Sequence, residues 1–304
     1  MMKRVAVLCG GDSREREVSL RSGKAVADAL NEAGFYADMI DLLRLEDSYR
    51  VKGYDGAFIA MHGDWGEDGR LQARLAEMGI PYTGSDPHAS ALAMDKWEAQ
   101  KFFAQAGIPV PKSLFLPKNY DDVVREIGRN IVVKPCAGGS TVGVSIIPEL
   151  TPQNLNDAVN LARESYAGEV IAEEYIPGRE ITCAVWENDG KTEALPVIEI
   201  KPHEGYYDYA NKYTKGATEY ICPAEIDDDI AKRIGDYAVK AHESLGCRAY
   251  SRADFRLSPE GEAYILEVNT APGMTATSLV PKAAKAKGIS MAEFVKAIMN
   301  MAKI

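Results

Sequence analysis

Apolar runs alternate with amphipathic stretches through the first 95 residues. VAVLC (5–9) is a continuous apolar run closed by Gly10-Gly11, which predicts a buried parallel strand entering a loop. A helical pattern follows from about 18 to 33, with Gly34 placed to end it. YADMIDL (36–42) alternates, and GAFIAMH (56–62) reads as another buried strand. A helix is expected near 69–79, and IPYTG closes the unit as a short strand. This alternation predicts an open parallel sheet with helices on both faces and ligands beyond the C-terminal strand ends.

From Lys96 the pattern changes. A helix over about 95–106, VPKSLFL, a helix near 120–128, IVVKP (131–135), SII, a helix over about 152–167 and VIAEEYI predict a small sheet with helices on one side. Beyond Gly178 the chain is strand-rich: EITCAVWE, TEALPVIEI and ATEYIC, then a helix at about 227–244. The paired strands YSRADFRL and AYILEVN and two short helices close it. The expected class is α/β, with α+β character in the later part. Three domains are expected, over 1–95, 96–180 and 181–304.

Composition narrows the function. Of 304 residues, 46% are hydrophobic and 26% charged, which fits a globular protein and excludes collagen-like or disordered chains. A net charge of −10 argues against a nucleic-acid partner, while leaving room for a nucleotide pocket with a few local cations. Five scattered cysteines without CxxC spacing read as reduced thiols. MMKRVAVLCGG is too short for a signal segment and no apolar run approaches the length of a bilayer span, so a cytoplasmic chain with no membrane segment is expected.

Several stretches carry candidate chemistry. The glycines of AGGSTVG (137–143) let backbone N–H groups approach an anion, and Ser140 and Thr141 add hydroxyls. The string is neither GxxxxGK[ST] nor GxGxxG, and a hairpin turn would use the same residues. Lys134, just upstream, can set a point charge against phosphate oxygens. Arg252, Asp254, Glu267 and Asn269 form R-x-D…E-x-N on two strands joined by Pro259-Glu260-Gly261. Residues two apart share a strand face, so this hairpin offers two carboxylates and an amide beside a cation, an all-oxygen set for Mg²⁺ bound with a nucleotide. A solvated strand face is the competing reading; the apolar Phe255, Ile265, Leu266 and Val268 imply burial instead.

VIAEEYIPGREI (170–181) offers backbone groups to an adenine edge and Glu180 to a ribose, and reads equally as an edge strand decorated with glutamates. Glu15 follows the first strand and opens a helix, where it can hold an ammonium group or simply cap the helix with Ser13 and Glu17. His62, in the loop HGDWGEDG, lies at another strand end of the same sheet. GYYDYANKYTKG (205–216) reads as a lid loop, with Lys212 and Tyr213 best placed to reach a ligand.

As an ordered set these motifs resemble the D-alanine–D-alanine ligases of the ATP-grasp superfamily. The strings that carry the likeness are GGDSREREVSL (10–20), HGDWGEDGRLQ (62–72), YTGSDPHASALAMDK (82–96), VKPCAGGSTVGVS (133–145), YYDYANKYTKGATEYICPA, SRADF and LEVNTAPGMTATSLVP (266–281). The resemblance runs from about residue 4 to the C-terminus. It implies an N-terminal Rossmann-like domain followed by a two-domain ATP-grasp fold with ATP between two sheets. It also implies ligation of two D-alanines through an acyl phosphate for peptidoglycan precursors.

By the same resemblance Lys96 and Lys134 contact phosphates, Glu173, Glu174, Tyr175 and Ile176 line the adenine, Glu180 binds the ribose, and Lys212 reaches the γ-phosphate. Asp254, Glu267 and Asn269 would hold two Mg²⁺ or Mn²⁺ ions. Glu15 would hold the first D-alanine's ammonium, with His62 near its carboxylate end. Ser140 and Tyr213 would join Glu15 in a triad that fastens the lid. Arg252 and the Gly273 N–H would form the oxyanion hole, and Ser278 and Leu279 would receive the second D-alanine's carboxylate at a helix N-terminus. A homodimer is also implied, and no nucleic-acid partner.

Three positions depart from the family pattern: Ala137-Gly138 in the phosphate loop, Glu174 where Lys is frequent, and Arg256 after Asp254, which is harmless if it faces solvent. D-lactate and D-serine are the alternative acceptors, and Tyr213 favours D-alanine. A non-catalytic nucleotide-binding protein would have lost Arg252, Asp254, Glu267 or Asn269, and all four are present.

Overall fold

A computed structural model of the chain describes residues 4–63, 65–166, 168–203, 214 and 216–304. The first sheet is parallel, with β1 (Arg4–Gly10) between β2 (Tyr36–Leu42) and β3 (Gly56–Ile59). Strand alternation sends β1 side chains to two faces. Val5 and Val7 pack in one core with Val26 and Leu30 of α1 (Arg16–Glu32), whereas Ala6 and Leu8 pack in another with Leu71 and Leu75 of α2 (Arg70–Glu77). The strand expected over 56–62 ends at Ile59, and the one expected at IPYTG is reduced to bridges from Tyr82 to Ala57 and Lys303.

Two elements escaped the sequence pattern, a 3₁₀ turn over Leu45–Val51 and helix α3 (Pro87–Met94). The second is started by Asp86, whose side chain accepts the Ala89 N–H at 2.8 Å, with Pro87 in the first turn. Helix α4 (Lys96–Gln105) follows at once, and its Ala99 and Phe103 lie in the core beneath the last sheet, with Phe255 and Ile265. Its first N–H donates to Cys136 O at 2.9 Å, so α4 ties the middle sheet to the last one.

The middle sheet is antiparallel in the order β4-β7-β5-β6, with β4 Ser113–Leu116, β5 Ile131–Pro135, β6 Ser145–Ile147 and β7 Val170–Glu174. Helices α5 (Tyr120–Glu126) and α6 (Pro152–Ser165) cover one side of it through Val123, Leu155 and Ala162. The last sheet contains β8 (Arg179–Asn188), β9 (Lys191–Ala194), β10 (Ile198–Pro202), β11 (Thr218–Ile221), β12 (Tyr250–Leu257) and β13 (Ala263–Asn269). TEALPVIEI splits into β9 and β10 around Pro196, which has no N–H for a ladder. Helix α7 (Asp228–Ser244) and α4 cover one face, leaving the other toward the middle sheet.

Helices α8 (Leu279–Ala286) and α9 (Met291–Asn300) return to the first sheet. Phe294 and Ile298 of α9 share a core with Val5, Val26 and Phe58. Phe294 also meets Trp186 at 5.5 Å and Tyr250 at 6.3 Å between ring centroids. The end of the chain is therefore a structural part of its beginning. Phe294→Ala is expected to cost about 3–5 kcal/mol in urea unfolding, and a loss below about 1 kcal/mol would contradict this packing.

Candidate active site

The cleft between the middle and last sheets is built around charged pairs. The N-terminus of α4 places Lys96 and β5 places Lys134, both buried. Lys134 Nζ lies 2.6 Å from Glu173 Oε2 on β7, a carboxylate that Gln100 also contacts. Lys96 Nζ lies 3.2 Å from Glu267 Oε2 on β13 and donates to Gly138 O at 2.7 Å. A buried ammonium needs such partners, since removing it from water is costly.

Opposite them stands the β12–β13 hairpin, in which Arg252 pairs with Asn269 and Asp254 with Glu267. Phe255 then pairs with Ile265, so Leu266 is a bulged residue. The bulge lets Leu266 and Glu267 both line the cleft, while Ile265 and Val268 stay in the core. Asp254 receives Arg252 in a two-pronged pair (2.8 and 2.6 Å), Thr182 Oγ1 at 2.6 Å and Asn269 Nδ2 at 3.2 Å. Burial pushes the Glu267 carboxyl up, but Lys96, Lys134 and Arg252 outweigh it and hold it down to about 2.

This donor set fits Mg²⁺ or Mn²⁺. Two carboxylates face each other beside an amide whose oxygen a side-chain flip presents. Among the described residues no group of three or more His, Cys, Asp or Glu encloses a metal. An ion here would share its coordination shell with phosphate oxygens, as Mg²⁺ does in nucleotide sites.

Arg256 is a further site residue: it turns into the cleft rather than to solvent, on the same face as Arg252 and Asp254. Its guanidinium donates to Ile176 O (3.1 Å) and Gly178 O (2.8 Å), sits 5.7 Å from the Tyr175 ring centroid, and lies 3.7 Å from Glu180. The signal was the period of two along RADFR, which puts positions 252, 254 and 256 on one side. Glu173, Glu174, Tyr175, Ile176 and Glu180 all line this cleft, along with the loop 137–142. Cys136, next to that loop, is pushed up to about 12 by burial and is inert as a nucleophile.

A second cleft opens beyond the first and shares Gly139, Ser140 and Arg252 with it. Ser140 and Thr141 have left-handed backbone (φ 54° and 59°), a strained turn that aims Ser140 Oγ at Glu15 Oε1, 2.6 Å away. Glu15 is held at the head of α1 by a tight crossing. Gly10 has φ 92°, and a Cβ there would strike Asp41, which is engaged by Arg16 at 2.8 and 2.6 Å. Gly273, Ser278 and Leu279 line the far wall. A Cβ on Gly273 would lie 2.9 Å from Ser278 Oγ, which accepts the Thr275 N–H at 3.0 Å. His62 is 4% exposed, with Nδ1 3.0 Å from Ala271 O and Nε2 2.8 Å from Ser22 Oγ. Lys212 and Tyr213 lie outside the described residues.

Residues 102–300 match the family model described as D-ala D-ala ligase C-terminus. A D-alanine–D-alanine ligase of Cupriavidus metallidurans is 43% identical over 99% of this chain and 92% of its own length. The crystal structure of the VanG D-Ala:D-Ser ligase from Enterococcus faecalis superimposes with a TM-score of 0.85 at 34% identity, covering 99% of both chains. That of the Bacillus anthracis D-alanine–D-alanine ligase complexed with ATP gives 0.84 at 33% identity, covering 99% of this chain and 97% of the other.

Glu180 yields a pH prediction. Burial pushes its carboxyl up to about 7, with Asp254 and Glu267 adding to the rise and Arg256 and Arg252 opposing it, against 4.5 for the free side chain. Between those values the folded chain binds the extra proton, so stability falls as pH rises from about 4.5 to about 7. Glu180→Gln is expected to flatten that decline in thermal unfolding without nucleotide; parallel curves for the two proteins would contradict it.

Proposed function

The chain belongs to the D-alanine–D-alanine ligase family, and on that premise we propose that it joins two D-alanines to D-alanyl-D-alanine, forming ADP and phosphate, for peptidoglycan precursors. The observation that carries the reading is the meeting of two clefts at Ser140 and Arg252, one lined by buried lysines and paired carboxylates, the other by Glu15 and the Ser278 helix end.

A carboxylate resists attack by an amine because its charge repels nucleophiles and it has no good leaving group. Transfer of the γ-phosphoryl group converts it to an acyl phosphate, and that in-line step is catalysed by positioning and charge neutralisation. Lys96 and Lys134 take the phosphates, Lys212 the γ-phosphate, and Glu180 the ribose, with the adenine beside residues 173–176. Two Mg²⁺ or Mn²⁺ ions, held by Asp254, Glu267 and Asn269, would supply further neutralisation of the phosphate oxygens.

Glu15 binds the ammonium of the first D-alanine, and Ser140 and Tyr213 connect it to the lid, which excludes water from the acyl phosphate. The second D-alanine, its carboxylate at Ser278 and the Leu279 N–H, attacks as a free amine. Arg252 and the Gly273 N–H stabilise the oxyanion that develops on the acyl carbon. We further propose the division into domains at 95 and 180, a homodimer, and a cytoplasmic location. Among the described residues, no helix is long and apolar enough to cross a membrane.

Phosphate release from ATP is expected with D-alanine and not L-alanine, with the dipeptide identified by mass; preferential coupling of D-lactate or D-serine would contradict the acceptor assignment. Glu267→Ala is expected to abolish turnover in a folded protein, and near-normal activity would refute its metal role. Arg252→Ala is expected to lower kcat by about 10²–10³-fold with ATP affinity little changed; the reverse pattern in steady-state kinetics would assign it to nucleotide binding.

A further inference from the structure

We propose that Ser22 and His62 form a buried positioning pair that fixes the loop carrying the Gly273 N–H, an inference that rests on the ligase reading above. Ser22 is fully buried on α1, and His62 follows β3. Between them they hold both sides of Pro272-Gly273. His62 Nδ1 lies 3.0 Å from Ala271 O, its Nε2 lies 2.8 Å from Ser22 Oγ, and the Met274 N–H donates to Ser22 Oγ at 3.2 Å.

The chemistry of the partners sets the direction of each bond. Ala271 O only accepts, so Nδ1 carries a proton, with Glu67 Oε1 4.0 Å away; in the neutral ring Nε2 then accepts the Ser22 hydroxyl hydrogen. Ser22 Oγ in turn takes the Met274 N–H on a lone pair. With a neutral imidazole, the relay Met274 N–H to Ser22 to His62 to Ala271 C=O uses every hydrogen once.

Gly273 N–H lies between the two clamped peptide groups. The loop has no strand or helix of its own there, being between β13 and α8. It is thus referred to the first sheet, the same unit that presents Glu15 from the head of α1. The donor-side ammonium site and the oxyanion donor are thereby held by one rigid frame. His62 lines the second cleft with Glu15, and both of its ring nitrogens are engaged by protein, so its polar contacts act on the loop.

The test separates the two half-reactions. Scrambling of ¹⁸O between the β–γ bridge and the β-phosphate non-bridging positions of ATP reports reversible acyl-phosphate formation, and dipeptide synthesis reports the amine attack. Ser22→Ala is expected to lower dipeptide kcat roughly 10- to 100-fold while isotope scrambling and the KM for ATP are retained. His62→Gln breaks the relay from its other end, guards against a folding defect in Ser22→Ala, and is expected to give the same split with the first D-alanine's KM unchanged. Unchanged kcat, or equal loss of scrambling, ATP binding and dipeptide synthesis in both variants, would overturn the clamp. A raised D-alanine KM with preserved kcat in His62→Gln would make His62 a substrate contact and overturn it too. Absence of both scrambling and dipeptide from the unmodified protein would defeat the ligase reading itself, so the two failures are distinguishable.

Discussion

The site depends on buried charge that is balanced pair by pair at the seam of two sheets. Lys134 meets Glu173, Lys96 meets Glu267, Arg252 meets Asp254 and Arg256 meets Glu180. Any one of these groups left alone in such a place would be destabilising, and each pair supplies the partner that burial demands. A polyphosphate accompanied by divalent cations adds both signs to the same seam. The lysines can exchange carboxylate for phosphate, and the carboxylates can exchange lysine for metal, without leaving an uncompensated charge.

That balance is a product of local sequence. The period of two in β12 aims positions 252, 254 and 256 into the cleft, and the bulge at Leu266 brings Glu267 opposite Asp254. Helix α4 packs under the last sheet while its first turn touches the middle one, so Lys96 stands between them. The first sheet bounds the second cleft, through Glu15, which Ser140 meets, and the buried contacts of Ser22 and His62.

Much of this was legible in the chain. The apolar runs of β1 and β5, the hairpin of β12 and β13, and the facing of Asp254 and Glu267 follow from strand periodicity and a turn at Pro259–Gly261. What escaped depended on partners far away in sequence. Arg256 resembled a solvated charge because its acceptors, Ile176 O and Gly178 O, are about 80 residues upstream. Ser22 resembled any small helix residue, since its hydrogen bonds join positions 62 and 274. Helix α3 was hidden by its short length and weak polar patterning, and the return of α9 to the first sheet is a packing outcome with no local signature.

The claim that nucleotide and metal take over existing charge pairs is tested most directly by a crystal structure with Mg²⁺ and a non-hydrolysable ATP analogue. Lys96 and Lys134 are expected on phosphate oxygens, and Asp254 and Glu267 on metal. A nucleotide bound in the cleft with Lys96 still on Glu267 and Lys134 still on Glu173 would contradict it.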